Sequence, residues 1–450
     1  MAEYKDLVKL VDKNKNLVFK AEKYLWKHPE TGYKEWKSSA YLEKEYEKLG
    51  YELVRANNIP GFYTDLDTGL PGPKILILSE LDSLLCNDHP DADPVTGAVH
   101  ACGHSAQGAA LLGVAAALKE RGALDGLCGS VRLCAVPAEE LIETGYRETL
   151  KEKGIIKYYG GKIEFLYRGY FNGTDIAYMI HTSGGKPHSF SIQKGNNGCI
   201  VKNIKYKGVA AHAGGAPHSG INALYAANIG ITAVNALRET FIDDDHIRVH
   251  PIITAGGTAV NAIPSEVKLE SYVRGATVEA INLNNKKVNR ALSAGAAALG
   301  AKVELCDRPG YAPLINDKNL AELMEKAMKE IAAEENVSVN DSWGTGCTDM
   351  GDISAVMPAV HPYVSGASGE GHGNNFKISD AETACLDSAK AQLVLLNMLL
   401  RNGAEKAKYI IDNKELRYGT YEEYFEAIDK FMIDKDAVIY NDDGKVVLDI

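Results

Sequence analysis

The sequence has no long apolar run. Its most apolar internal stretch, residues 108–118 (GAALLGVAAAL), falls far short of the ~20 residues that cross a bilayer. The first twenty residues, MAEYKDLVKLVDKNKNLVFK, carry charge every few positions and hold no apolar segment of signal-peptide length. These absences argue against membrane insertion or export, so a cytoplasmic protein without a membrane partner is expected. Positive charge is also short. With 49 Lys+Arg against 60 Asp+Glu the net charge is −11, which argues against a broad nucleic-acid surface. Eight cysteines (86, 102, 128, 134, 199, 306, 347 and 385) are too scattered for a disulfide scaffold and read as reduced thiols. What is present is an ordinary globular composition, 45% hydrophobic and 24% charged, over 450 residues. At roughly 100–200 residues per domain, that length predicts two or three domains with ample core.

Apolar spacing predicts helices over 5–27 and 35–49, then short strands over 51–55, 61–66 and 74–79. The last of these, KILILS, lacks polar alternation and reads as buried on both faces, as in a parallel sheet. A helix over 105–121 and a buried strand over 130–136 follow. This order predicts an α/β unit, a mostly parallel sheet covered by helices. The pattern changes near residue 196. A strand over 199–207, a helix over 220–237, strands over 246–253 and 267–275, a helix over 278–299 and a strand over 301–305 give the β-α-β-β-α-β order of a ferredoxin-like α+β sandwich. Helical patterning resumes at 318–334. The expected organisation is a discontinuous domain (1–195 and 316–404), an inserted domain (196–315) and a polar, Tyr-rich C-terminal extension (405–450).

The sharpest chemical signal is VHACGHS at 99–105, between a buried strand region and a helix start. Cys102 and His104, separated by one glycine, can present thiolate and imidazole from a single tight turn. Both suit a borderline-soft divalent metal, Zn or Mn foremost, with Co or Ni also compatible. VPAEE at 136–140 ends a buried strand, where ligands gather in open α/β sheets. Glu139 and Glu140 repel there unless a cation relieves one, leaving the other with a raised pKa as a general base. A solvated pair opening a helix is the alternative. His181 ends the strand-like 175–181 segment, and His372 lies in the loop GEGHGN at 369–374. Each residue alone fits a structural role. Together, five ligands exceed the three or four of one zinc and point to two metals sharing the Cys102 thiolate.

These residues and their order resemble the metal-dependent amidohydrolases that include aminoacylases, hippurate hydrolase, auxin-conjugate hydrolases and the p-aminobenzoyl-glutamate hydrolase subunits. The likeness runs through Trp26-Lys-His-Pro-Glu30, Glu80-Leu-Asp82, His100-Ala-Cys-Gly-His104, Pro137-Ala-Glu-Glu140, His181, Ala211-His-Ala213, Pro217, Gly256-Gly257, Asn261-Ala-Ile-Pro264 and Arg274. Thr348-Asp-Met-Gly-Asp352 with His361-Pro-Tyr363 resembles most the p-aminobenzoyl-glutamate hydrolase and dipeptidase branch. The resemblance implies a catalytic domain with an inserted dimerisation or lid domain, two divalent metal ions per chain, and a homodimer. It implies Cys102 as bridging ligand, completed by His104, Glu140, His181 and His372. Glu139 is implied as the general base for the attacking water, and Asp82 as the group orienting the metal shell. It also implies that His212, Asn261 and Arg274 reach a partner subunit's site, where His polarises the carbonyl and Asn and Arg hold a substrate carboxylate. The reaction implied is hydrolysis of the amide bond of an N-acyl or N-aroyl amino acid or a dipeptide-like compound. A non-catalytic binding or accessory subunit of the same fold, or an exopeptidase requiring a free amino group, is the alternative.

The chain departs from the family at Ser105, where Asp or Asn is common, and at Gln107, where a second His is common. Residues 141–173 form a longer, Tyr-rich segment, read either as an aromatic substrate wall or as a helical surface excursion. Gly256-Gly257-Thr258 lacks the P-loop lysine and reads as a turn. Asp243-Asp-Asp-His246 lacks calcium-loop spacing and reads as a solvated loop.

Overall fold

The computed structural model describes residues 4–450. The first helical pattern is two helices, Tyr4–Lys13 and Lys15–Trp26, where one was expected over 5–27. The break falls at Asn14, whose side-chain amide donates back to the Leu10 carbonyl (2.9 Å), a local bond that competes with helix continuation.

The first sheet has six strands in the order Val54–Arg55, Phe62–Asp67, Ser130–Val136, Lys74–Glu80, Ile176–Tyr178 and Ala359–Val360. The last four are mutually parallel, and Phe62–Asp67 joins them antiparallel at one side. The apolar run of Lys74–Glu80 is buried from Ile75 onward, as its lack of alternation required. Against this sheet lies the helix His104–Leu118, buried at every residue. Its all-round Ala, Gly and Leu surface has no polar face, which suits a central helix covered on all sides. The helices Lys15–Trp26 and Ser388–Leu400 cover it from outside.

The second sheet is antiparallel along its main path, with Arg248–Val249 and Ile252–Ala255 beside Glu266–Gly275, then Gly195–Lys207, then Lys302–Tyr311. The helices Ala223–Ala236 and Val278–Ala298 complete the expected β-α-β-β-α-β order. They cross in close contact because Gly230 and Gly295 meet. A Cβ at Gly295 would lie 2.4 Å from the Gly230 nitrogen. Gly295→Leu is therefore expected to cost about 1–3 kcal/mol through overpacking, read as a lowered denaturation midpoint with unchanged metal content.

Residues 405–450, expected as a terminal extension, fold back onto both parts of the chain. The strand Ile433–Asp436 pairs with Lys302–Tyr311 and lengthens the second sheet. The Tyr424 hydroxyl in the helix Tyr421–Asp429 donates to Asp352 beneath the first sheet. Among the described residues no helix is long and apolar enough to cross a membrane, and the eight cysteines are free thiols.

Candidate metal centre

The parallel strands end on one side, and their carboxyl ends carry the site. Glu80 terminates Lys74–Glu80, and Asp82 follows two residues later. Glu139 and Glu140 follow Ser130–Val136, and His181 opens the segment after Ile176–Tyr178. His104 is the first residue of the buried central helix, which places Cys102 in the turn entering it. His372 arrives from a loop. Its backbone N–H donates to the Ala101 carbonyl (2.8 Å), and its side chain is the most exposed of the set at 57%.

All five residues read as ligands converge. Cys102, His104 and His181 form one group, Cys102, Glu140 and His372 a second, with donor atoms within 4.8 Å of one another in each. Cys102 belongs to both. Its Sγ lies 3.4 Å from His181 Nε2, and His372 Nε2 lies 3.2 Å from Glu140 Oε1. The histidine tautomers follow from the second nitrogen. His104 Nδ1 donates to the Asp82 carbonyl (2.9 Å) and His181 Nδ1 to the Thr182 carbonyl (2.7 Å), which leaves each Nε2 as a lone-pair donor facing inward. Asp82 Oδ1 also lies 3.2 Å from His104 Nδ1 and its Oδ2 accepts from the Glu140 N–H (2.8 Å), so one residue aligns a ligand at the helix start and one at a strand end. His104 Nε2 and Glu80 Oε2 face each other at 3.1 Å and are buried with no other hydrogen-bond partner. A divalent cation fits this set of sulfur, nitrogen and oxygen donors and satisfies the orphaned atoms.

The electrostatics agree with the geometry. Burial and Glu140 oppose ionisation of Cys102, but His104 and His181 outweigh them and bring its pKa down to about 6. Glu139 moves the other way, pushed well above the usual carboxylate range by burial and then by Glu80, Glu140 and Asp349. Glu140 is held down at about 2; burial opposes this, and His372 prevails. The two neighbouring glutamates therefore differ sharply in proton affinity, as separate tasks require. In the metal-stripped protein Cys102 is accordingly expected to be a thiolate above pH ~6 rather than above the ordinary cysteine value of about 8.5. Its alkylation rate by iodoacetamide should rise through that lower range, and bound zinc should suppress it.

Three side chains below the centre were not singled out as site residues from the sequence. Glu80 was legible only as part of a motif. Arg147 and Lys162 come from the 141–173 segment, which turns much of itself inward while Tyr167 stays exposed. Tyr158 and Tyr159 are buried in an apolar cluster. Arg147, 1% exposed, donates to the Glu140 and Tyr159 carbonyls and braces the turn that carries the glutamates. Gly161 packs against that turn so closely that a Cβ would lie 1.6 Å from the Pro137 carbonyl oxygen. This approach lets Lys162 reach beneath the strand ends, where it pairs with Glu80 and Asp349, all three side chains fully buried. The Thr348–Asp352 motif thus supplies a buried counter-charge at Asp349, while Asp352 accepts from the Ala312 N–H (2.7 Å) and the Tyr424 hydroxyl.

Not every candidate joins the centre. His212 and Asn261 lie together on the second sheet's exposed loops, where the Ala213 N–H donates to the Asn261 carbonyl (2.9 Å). His212 is exposed, and its Nδ1 accepts from the Gly214 and Gly215 N–H groups (3.1 and 2.8 Å). Arg274 is half-buried over the Tyr272 ring (5.2 Å) and lines a cavity of about 470 Å³ with Arg248, His250, Tyr272, Ile142 and Glu143. Among the described residues it has no ion-pair partner.

A helix-covered, largely parallel sheet with such a donor cluster at its strand ends, and an α+β unit inserted into the chain, defines a class of metallohydrolase folds. The chain belongs to the peptidase family M20/M25/M40, whose model matches residues 77–396. It is 32% identical over 281 residues to the Xaa-Arg dipeptidase of Mus musculus, covering 61% of this chain and 58% of that protein. It is 26% identical over 322 residues to a p-aminobenzoyl-glutamate hydrolase subunit of Escherichia coli, covering 69% and 62%. The matched region thus spans about three fifths of the length of these relatives. Its fold resembles that of the Bacillus subtilis YXEP protein, a dinuclear metal-binding peptidase of the M20 family, with TM-score 0.63, 22% identity and coverage of 86% and 98%.

Proposed function

We propose that the protein is a metal-dependent amidohydrolase that cleaves the amide bond of an N-acyl or N-aroyl amino acid, or of a dipeptide-like substrate. The observation that carries this reading is the pair of ligand groups joined through Cys102, with Glu139 beside them at 4.0 Å from His104 Nε2. Cys102, His104 and His181 would hold one divalent cation and Cys102, Glu140 and His372 the other, zinc or manganese by the donor set. When bound, such a pair polarises a carbonyl and acidifies water. Glu139 takes the proton of the attacking water on its carboxylate and passes it to the leaving nitrogen. Asp82 keeps His104 and the Glu140 backbone in register.

The 196–315 segment acts as the lid and dimerisation domain, with the remainder of the chain up to 404 as the catalytic domain. Its sheet edge favours a homodimer. The strand Ile252–Ala255 is exposed throughout, and Tyr225, Ile229 and Val260 are also exposed large apolar side chains. In a dimer, His212 of one chain stabilises the oxyanion in the other's site, while Asn261 and Arg274 hold the substrate carboxylate. The activities for which the two relatives are named, on a dipeptide and on an aroyl amino acid, fall within this substrate range.

The test is release of free amino acid from matched N-acyl, N-aroyl and free-amine dipeptides by the zinc- or manganese-loaded protein. Turnover of blocked substrates that disappears on chelation supports the reading. Turnover of free-amine dipeptides alone supports an exopeptidase, and none with any substrate supports an accessory subunit.

A further inference from the structure

Glu80 has more structure around it than the ligand sets above use. Its Oε1 accepts from the Lys162 ammonium, and that ammonium is also bound by Asp349. Asp349 holds Lys162 twice, since its Oδ2 accepts from the Lys162 backbone N–H (2.8 Å). The lysine cannot swing, so the Glu80 carboxylate is fixed with its second oxygen turned the other way. That oxygen, Oε2, lies 3.1 Å from His104 Nε2, and neither atom has another hydrogen-bond partner. His104 Nδ1 already donates to Asp82, so with a neutral imidazole two lone-pair atoms face each other in a site without solvent exposure. Leaving such atoms unsatisfied is costly; a proton on His104 satisfies them in the metal-free chain, and a divalent cation between them takes that proton's place. Glu80, His104 and Glu139 offer donor atoms within 4.8 Å of one another, and His104 is shared with the Cys102–His181 group.

We propose that Glu80 is a further ligand of the cation held at His104 and His181, and that Lys162 is the positioning residue that turns Glu80 Oε2 toward it. This rests on the two-metal reading above. It makes the two sites unequal. One is the deeper, with His104 and Glu80 fully buried and Cys102 and His181 half-buried, and has these four as protein donors. The other has Cys102, Glu140 and the largely exposed His372. The protein should therefore load in two resolved steps, the deeper site first.

The experiment is calorimetric titration of zinc into the chelator-stripped full chain. Wild type is expected to take two ions in two steps. Glu80→Gln should weaken the tighter step at least tenfold and leave the weaker one unchanged. Lys162→Gln should weaken the same step by a smaller factor, and His372→Ala should weaken only the other. A purely structural role for Lys162 would instead disturb both steps together. If Glu80→Gln does not fold by circular dichroism, Glu80→Asp keeps the charge, withdraws the oxygen and should show the same selective loss. A wild-type crystal structure with zinc-edge anomalous data gives an answer without any variant, with Glu80 Oε2 expected within ~2.2 Å of the ion. Two ions in wild type, an unchanged titration for Glu80→Gln and a Glu80 oxygen beyond bonding distance would overturn this inference alone. No zinc uptake by wild type would overturn the two-metal reading beneath it.

Discussion

Glu139→Gln is expected to lower kcat by about 10²- to 10⁴-fold, the usual contribution of a positioned general base, while the protein keeps its full complement of metal. The reason lies in the contrast with Glu140. Both carboxyls follow the same strand, but Glu140 is held charged by His372, whereas burial and three neighbouring carboxylates raise the proton affinity of Glu139, which a divalent cation beside it would bring back toward the working range of a base. Gln retains the size and a hydrogen-bonding amide but cannot take a proton from water, so the loss should fall on kcat rather than KM. Turnover by Glu139→Gln within threefold of wild type would remove Glu139 from the reaction.

The second large effect concerns a residue far from the donor cluster. His212→Ala should reduce kcat by about 10²- to 10³-fold, as loss of an oxyanion donor does, without changing metal content. His212 sits exposed on the second sheet's loops, and its contacts among the described residues are with its own loop and the chain beside Asn261. If it serves the partner's site, the two inactive variants should complement each other. Equal mixing of Glu139→Gln and His212→Ala chains makes half the dimers hybrid, each with one intact site, so about a quarter of wild-type activity should return. No recovery after confirmed subunit exchange would mean that His212 acts within its own chain or not at all.

Much of this architecture was legible before any coordinates. Periodicity located three of the four parallel strands and the β-α-β-β-α-β unit, because short apolar runs bounded by turn residues and period-two alternation favour strands; Ala359–Val360 is too short to leave a pattern. The five donors were legible only together: each alone fits a structural role, but their combination and order pointed to a shared metal site. The buried supports were not. Lys162 and Arg147 sit in a segment rich in charge and tyrosine, which reads as surface; only the close approach of Gly161 to Pro137 carries them inward. Glu80 offered a weak signal, a carboxylate closing an otherwise apolar strand. The strand Ile433–Asp436 was also missed, since its IDKD sequence has the composition of a solvated tail and is recruited only by an available sheet edge. The break at Asn14 escaped the periodicity because apolar spacing continues across it.

The central claim is a dinuclear centre built around Cys102, and metal content per chain measures it directly. Elemental analysis after loading with zinc or manganese should give about two ions per wild-type chain, and Cys102→Ala should fall to one or fewer, because both ligand groups lose a member. Wild type holding no metal under any loading, or Cys102→Ala holding two as tightly as wild type, would contradict the account.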